Sequence, residues 1–289
     1  MTNSNNPKLK HFLSCADLTG YQINSLIDVA IDFKTNGCNI HLKNKVLGLI
    51  FNKASTRTRV SFQVAMTRLG GSTIDLNPNT TQIGRGEEIK DTARVLSRYC
   101  DVLAIRTFKQ SDLEEYARWS TKPIINALSD LEHPCQALAD FMTIKEEFGS
   151  FEDVTLTFIG DGNNVANSLI LSGALLGAKI RIACPKGYEP NNSVINKAKE
   201  LNPSPYGLLI TNDLLEAVKD TNVLYTDVWT SMGQEDTKLS KDKVFEGFSI
   251  NNKLLNIASP KAIIMHCLPA YRGKEISEDV IDCSQSRIF

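Results

Sequence analysis

Short apolar runs alternating with helix-period segments constrain this chain more than any other feature. Val46–Phe51 reads VLGLIF, the length of a buried strand. Behind it, Phe62, Ala65, Met66 and Leu69 recur at the spacing of one helix face until Gly70-Gly71 ends the pattern. Ser72–Leu76 resumes as a strand. Residues 87–99 read as a helix through Ile89, Ala93 and Leu96, and residues 101–105 and 123–126 are further strands. A long helix starts at His133-Pro134, with proline at its favoured first position, carries Ala137, Phe141, Ile144 and Phe148 as a stripe, and stops at Gly149. The second half repeats the alternation: strand 154–159, helix Asn164–Leu176, strand Lys179–Ala183, short helix 214–219, and strands 223–227 and 262–266. Such alternation calls for an α/β class, with parallel strands and helices on both faces of each sheet. The 289 residues allow two such domains, expected over 1–147 and 148–289. In these sheets ligands bind beyond the carboxyl ends of strands, which is where residues 55–57, Arg106, residues 160–164, Asp227 and Cys267 fall.

Charge narrows the ligand. The 32 basic and 33 acidic residues leave a net charge of -1, so no global field favours nucleic acid or an anionic membrane. An anionic substrate then needs a local cluster of donors. No apolar run approaches membrane-spanning length. The seven cysteines are odd in number, widely spaced and without C-x-x-C, which argues against a disulfide framework or a zinc ribbon and suggests a reducing compartment. The amino terminus, MTNSNNPKLK, has no apolar core of a signal peptide, so the expected location is the cytoplasm.

Six constellations carry chemistry. Ser55-Thr56-Arg57-Thr58-Arg59 lies between a strand and a helix, where unpaired N–H groups favour an anion and hydroxyls and guanidinium add donors. The alternative is a helix cap with a solvated arginine; two arginines favour the anion site. Arg106, beyond its strand, is either a surface arginine or part of the same cluster. In His133-Pro134-Cys135-Gln136, His133 can donate to a carbonyl oxygen and Gln136 offers donor and acceptor, but on spacing alone a capping histidine with a helix-face glutamine fits slightly better. Gly160-Asp161-Gly162-Asn163-Asn164 is close to a dinucleotide fingerprint, yet Val165 stands where the third glycine belongs, and the next strand ends in Ala183-Cys184-Pro185 without an acid for a ribose. NAD is therefore not expected, and the asparagines can hold a carboxylate instead. Asp227, leaving a strand, can bind an ammonium group or form an Asx turn. His266-Cys267 ends another strand; Cys267 is a candidate nucleophile without a visible base partner, and the pair lacks the further ligands at suitable spacing that a metal would need.

Taken together the motifs are specific. The run from Ser55 to Phe62 resembles the carbamoyl phosphate signature of the aspartate and ornithine carbamoyltransferases, and His133-Pro134-Cys135-Gln136 resembles their shared H-P-x-Q. Residues 227–233 (DVWTSMG) and 266–270 (HCLPA) look like the two signatures of the ornithine branch. The order is the family's and spans nearly the whole chain. The resemblance implies two doubly wound α/β domains with the active site in the cleft between them. It implies transfer of a carbamoyl group from carbamoyl phosphate to the side-chain amine of L-ornithine, with no metal or organic cofactor. By motif, Ser55, Thr56, Arg57 and Thr58 would hold the phosphate. Arg106, His133 and Gln136, with Pro134 and Cys135, would hold and polarise the carbamoyl group. Cys267 and Leu268 would sit beside the reacting centre. Asn164, Asp227, Ser231 and Met232 would hold the amino-acid end of ornithine. Gln82 would reach in from a neighbouring subunit of a homotrimer. Arg57, Arg106, His133, Asp227 and Cys267 would be the catalytic set, and the pathway arginine biosynthesis.

Two departures from the pattern stand out. Asn52 replaces the acidic residue of F-E-K-x-S-T-R-T-R, which removes a local ion pair. The family also continues into a terminal helix with another arginine for carbamoyl phosphate, whereas this sequence ends at Phe289; a trimmed chain or a weakened phosphate site is the expectation. Competing readings are a ligand-binding protein of the same fold without turnover, and a transferase using putrescine or an acylated ornithine, which Asp227 disfavours.

Overall fold

The computed structural model describes residues 10–204, 207–230 and 238–289. Two parallel-sheet α/β domains are present, and they separate into compact units. The first takes the chain up to Leu18 with Asp32–Cys135, and the second takes Thr19–Ile31 with Gln136–Phe289.

In the first unit, β1 (Val46–Phe51), β2 (Ser72–Leu76), β3 (Val102–Arg106) and β4 (Ile124–Leu128) pair in parallel in the order β2-β1-β3-β4. The order reverses between β1 and β3, so a crevice opens beyond their carboxyl ends. Leu49, Ile50, Leu103, Ala104 and Ile105 are fully buried, as strands covered on both faces require. The helix Arg57–Arg68 crosses from β1 to β2 with Met66 as its one buried residue. The expected apolar face is only partly used: Phe62 and Leu69 are half-buried and Ala65 is exposed. Gly70, at φ +75°, ends the helix, and Gly71 carries no Cβ because one would sit 2.5 Å from the Met66 methyl.

In the second unit, β5 (Thr155–Ile159), β6 (Lys179–Ala183), β7 (Leu208–Thr211), β8 (Val223–Thr226) and β9 (Ile263–His266) pair in parallel in the order β7-β6-β5-β8-β9. Here the order reverses between β5 and β8. Every residue of β5 is buried, and the following helix Asn164–Leu176 is buried continuously from Val165 to Gly173. A helix apolar nearly all round belongs inside a core. Gly173 lets it touch β6, since a Cβ there would meet the Ile180 side chain at 2.4 Å.

Most expected strands appear within a residue or two of their expected ends. β3 includes Arg106, which had been expected just beyond it. The strand β7 and the helices Gly20–Asn36, Gln110–Trp119 and Asn192–Leu201 were not anticipated.

Candidate functional site

The cluster in the first unit forms at its switch point. Backbone pairing sets Phe51 of β1 beside Arg106 of β3, and the Asn52 N–H donates to the Arg106 carbonyl at 2.8 Å. The β3–β4 register shifts between Ile105 and Arg106, an irregularity of the kind that re-aims a side chain. The Arg106 guanidinium is buried and donates to the Ser55 hydroxyl at 3.4 Å. Asn52, at the position of the missing acid, donates instead to the Thr107 hydroxyl at 3.5 Å.

The helix Arg57–Arg68 begins without a side-chain cap. Thr56 occupies the cap position with helical backbone angles, φ -92° and ψ -60°, and makes no capping bond. The first-turn N–H groups are therefore not satisfied by a cap, and partial positive charge is directed at the space beside Ser55 and Arg106. Arg57 and Thr56 are exposed there, and Ser55 and Thr58 half-buried. The second arginine of the motif does other work. Arg59 pairs with Asp75 of β2 at 3.1 Å and lies over the Phe51 ring.

His133 is held by a loop tied back on itself: the Ser129 N–H donates to the Glu132 carbonyl at 2.9 Å, and the Glu132 carboxylate accepts from the Cys15 N–H at 3.0 Å. Burial, and then the Arg106 charge, push the His133 pKa down to about 3, so the imidazole is neutral at physiological pH. A neutral imidazole can donate to a carbonyl oxygen without first losing a charge. Pro134 opens the helix Pro134–Phe148. The Cys135 thiol, pushed up to about 12 by burial, donates to the Asn126 carbonyl at 3.4 Å and so points at β4. Gln82 is exposed at the start of the short turn Gln82–Arg85.

The cluster in the second unit centres on Asp227, just past β8. Its Oδ1 accepts from the Cys267 thiol at 3.1 Å and the Val228 N–H at 2.8 Å, and its Oδ2 accepts from Asn163 Nδ2 at 2.8 Å. Burial and the Asp227 carboxylate hold the Cys267 pKa well above that of an ordinary thiol, so the sulfur keeps its proton and is a poor nucleophile. Asn163 also caps the helix Asn164–Leu176 by accepting from the Val165 and Ala166 N–H groups. Asn164 is half-buried in the first turn. Ser231 and Met232 lie outside the described residues.

The glycines of this turn have a local explanation. A Cβ on Gly162 would lie 2.3 Å from the Pro190 nitrogen and 2.7 Å from the Tyr188 carbonyl oxygen. The backbone of residues 188–190 thus packs directly against this turn, and that close approach is what the glycine serves. Asp161 is likewise committed, to an ion pair with Lys241 at 2.5 Å.

Beyond β9, Leu268 takes a positive φ of 57°, and its N–H donates to His266 Nδ1 at 2.9 Å. The other ring nitrogen meets Glu275 Oε1 at 3.3 Å. Asp227, His266 and Cys267 offer ligand atoms within 4.8 Å of one another, but both imidazole nitrogens already have partners, so the trio reads as a hydrogen-bonded network and not a metal centre.

Sequence reasoning missed one buried acid. Asp140 sits one turn along from Gln136; its Oδ1 accepts from Gln136 Nε2 at 2.9 Å and its Oδ2 from the Tyr225 hydroxyl at 2.9 Å. The four-residue spacing was a visible signal. Tyr225, inside β8, gave none beyond that of a core aromatic.

Residues 10–146 match the aspartate/ornithine carbamoyltransferase carbamoyl-P binding domain, and residues 152–289 match the Asp/Orn binding domain of the same family. The chain belongs to this family. It is 68% identical to the ornithine carbamoyltransferase of Prochlorococcus marinus subsp. pastoris over 97% of its own length and 91% of that protein's. The solved structure of the ornithine carbamoyltransferase of Pyrococcus furiosus aligns with a TM-score of 0.91 at 45% identity, covering 97% of this chain and 91% of that one. That of Gloeobacter violaceus aligns with a TM-score of 0.87 at 46% identity, over 96% and 92%. Both sheets are parallel, and each cluster stands at a switch point of its own sheet. Among the described residues, no helix is long and apolar enough to cross a membrane.

Proposed function

We infer that this chain is an ornithine carbamoyltransferase, converting carbamoyl phosphate and L-ornithine into L-citrulline and phosphate. The observation that carries the reading is the buried Asp227 carboxylate beside a protonated Cys267, a site for an ammonium group, on a chain that also carries an uncapped, arginine-bearing helix start.

Ser55, Thr56, Arg57 and Thr58 bind the phosphate through hydroxyls, first-turn N–H groups and a two-pronged guanidinium. Arg106 and neutral His133 donate to the carbamoyl oxygen and stabilise the oxyanion that forms on attack. Gln136 holds the carbamoyl amide. Pro134 fixes the helix start that carries it, and Cys135 anchors that start to β4. Asp227, with Asn164, Ser231 and Met232, binds the amino-acid end of ornithine, and the Leu268 backbone, held by His266, lies beside the reacting centre with Cys267.

An alkyl ammonium has a pKa of about 10.4, so the attacking amine must be favoured in its neutral form by desolvation and by Arg57 and Arg106. The bond from the amine nitrogen to the carbamoyl carbon forms, the carbon–oxygen bond to phosphate breaks, and the amine proton leaves with solvent or phosphate. The protonated Cys267 orients Asp227 and forms no thioester. Bringing the two substrates together in one orientation supplies much of the acceleration. No cofactor takes part.

A homotrimer fits the surface of the first unit. The helix Arg57–Arg68 exposes Val60 and Val64, and the edge strand β2 exposes Ile74. An uncovered edge with apolar residues calls for a covering partner, and the exposed Gln82 is free to reach a neighbour's phosphate in such an assembly. Seven free cysteines fit a reducing cytoplasm, and formation of citrulline fits a role in arginine biosynthesis. The functional domains are taken as 1–147 and 148–289.

The test is citrulline formation from carbamoyl phosphate with ornithine, putrescine and aspartate as parallel acceptors. Turnover with ornithine alone is expected. Preferential carbamoylation of putrescine or aspartate would overturn the assignment of Asp227.

A further inference from the structure

A glutamine side chain has two chemically opposite ends, and turning the amide over exchanges them. A carbamoyl group also has two: a carbonyl oxygen that accepts and an NH2 that donates. Arg106 and His133 supply donors for the oxygen. The NH2 needs an acceptor, and Gln136 supplies one only when its Oε1 faces the substrate.

Asp140 decides which end that is. It lies one helical turn from Gln136, and its Oδ1 accepts from Gln136 Nε2 at 2.9 Å. Above about pH 7 the carboxylate is ionised and has no proton to donate, so it pairs with the NH2 end and not with the oxygen. The carboxylate is itself fixed, because its Oδ2 accepts from the Tyr225 hydroxyl at 2.9 Å. Asp140 is 4% exposed and Tyr225 fully buried, so water cannot easily substitute for either partner. A buried carboxylate with two neutral donors is a costly way to fill space, and an apolar residue would pack there at less expense. The cost has a return if the acid sets an orientation.

We propose that Asp140 is a positioning residue that holds the Gln136 amide with its carbonyl oxygen toward the carbamoyl NH2, and so lets the site tell a carbamoyl donor from an acyl donor of the same shape. The proposal rests on the reading of Gln136 as a carbamoyl contact. Asp140 touches no reacting atom; it acts through Gln136.

The discriminating probe is acetyl phosphate, in which a methyl group replaces the NH2. Binding of carbamoyl phosphate, acetyl phosphate and inorganic phosphate is measured by calorimetry without ornithine, at about pH 8 where Asp140 is ionised, on the full chain and on Gln136→Ala and Asp140→Ala. The parent chain binds carbamoyl phosphate more tightly than acetyl phosphate. Gln136→Ala loses that preference. Asp140→Ala weakens carbamoyl phosphate by about tenfold, the worth of one hydrogen bond, and leaves acetyl phosphate and inorganic phosphate unchanged. If Asp140→Ala does not fold, Asp140→Leu with Tyr225→Phe removes both polar partners at once, leaves no unsatisfied hydroxyl, and gives the same loss.

Three results would overturn the proposal, and they differ. If the Asp140 variants keep the preference while Gln136→Ala loses it, Gln136 needs no orienting partner. If they weaken all three ligands alike, Asp140 is structural. If Gln136→Ala keeps the preference, the reading of Gln136 has failed and the inference falls with it.

Discussion

The two helices that follow the first strand of each sheet start alike and end up opposite. Arg57–Arg68 begins at a cap position whose threonine makes no side-chain bond, and it buries only Met66. Asn164–Leu176 begins under Asn163, which bonds two first-turn N–H groups, and it is buried from Val165 to Gly173. Residues 188–190 close over Gly162 in front of it. One helix start has no side-chain cap, and the other is capped and packed against by the protein itself. A glycine-rich turn between a strand and a helix is therefore no proof of a phosphate site. What decides is whether the chain has already satisfied the N–H groups.

The clusters at the two switch points also differ in how they treat protons. The first offers guanidiniums and a histidine held neutral. The second keeps protons on acids: the Asp140 carboxyl is raised to about 7 by burial, and the Cys267 thiol is raised well above its ordinary value. Fixed positive charge suits a phosphate, and a network of held protons suits an ammonium group that must arrive charged and react neutral.

The largest expected effect breaks the first half of this comparison. Arg57→Gly removes the guanidinium from an exposed helix start, so turnover should fall by at least about a hundredfold with little change in melting temperature. Steady-state kinetics beside a thermal melt would check this, and near-normal activity in a folded variant would sink the phosphate assignment. Next comes Asp227→Asn, which keeps the shape but removes the charge. Its KM for ornithine should rise by about tenfold or more, the cost of one charge-assisted contact, while the KM for carbamoyl phosphate holds.

Asn163→Ala tests the filled helix start. It deletes a cap and a partner of Asp227, and should cost about 1 kcal/mol or somewhat more in urea unfolding. No loss would mean that the cap contributes nothing. The smallest effect is on the pH dependence of stability. Asp140 faces Gln136 on its own helix and Tyr225, Asp227 and Cys267 from the strands packed against it. The folded chain keeps its proton up to about pH 7, whereas an unfolded aspartate loses it near about 3.9. Stability is thus lost as pH rises through that window, by up to about 1.4 kcal/mol per pH unit. Asp140→Asn should remove that slope. His133, with its pKa lowered to about 3, opposes it: its stabilisation is present above the usual histidine value near about 6.5 and is lost as pH falls. Unfolding midpoints between pH 4 and 8 for both chains would separate the two.

The strands were legible because short apolar runs between helices that stop at Gly70, Gly149 and Gly177 have few other uses. β7 was not: its four residues, Leu208–Thr211, are all half-buried at a sheet edge, too short and too mixed to stand out. In the site, residue types on the turns were readable because Ser, Thr, Arg, Asn and Asp gather there for chemical reasons. The commitments of those residues were not. Nothing in the order of residues says that Arg59 turns to Asp75, that Cys135 turns to β4, or that a buried Asp140 bridges Gln136 to a tyrosine 85 positions away. Those depend on which strands become neighbours.

The most direct test of the division of labour is calorimetric titration of carbamoyl phosphate, without ornithine, into the parent chain, Arg57→Gly and Asp227→Asn. Binding should vanish in Arg57→Gly and remain near the parent value in Asp227→Asn. Undiminished binding in Arg57→Gly, or its loss in Asp227→Asn alone, would contradict the assignment of the anion to the uncapped helix of the first unit.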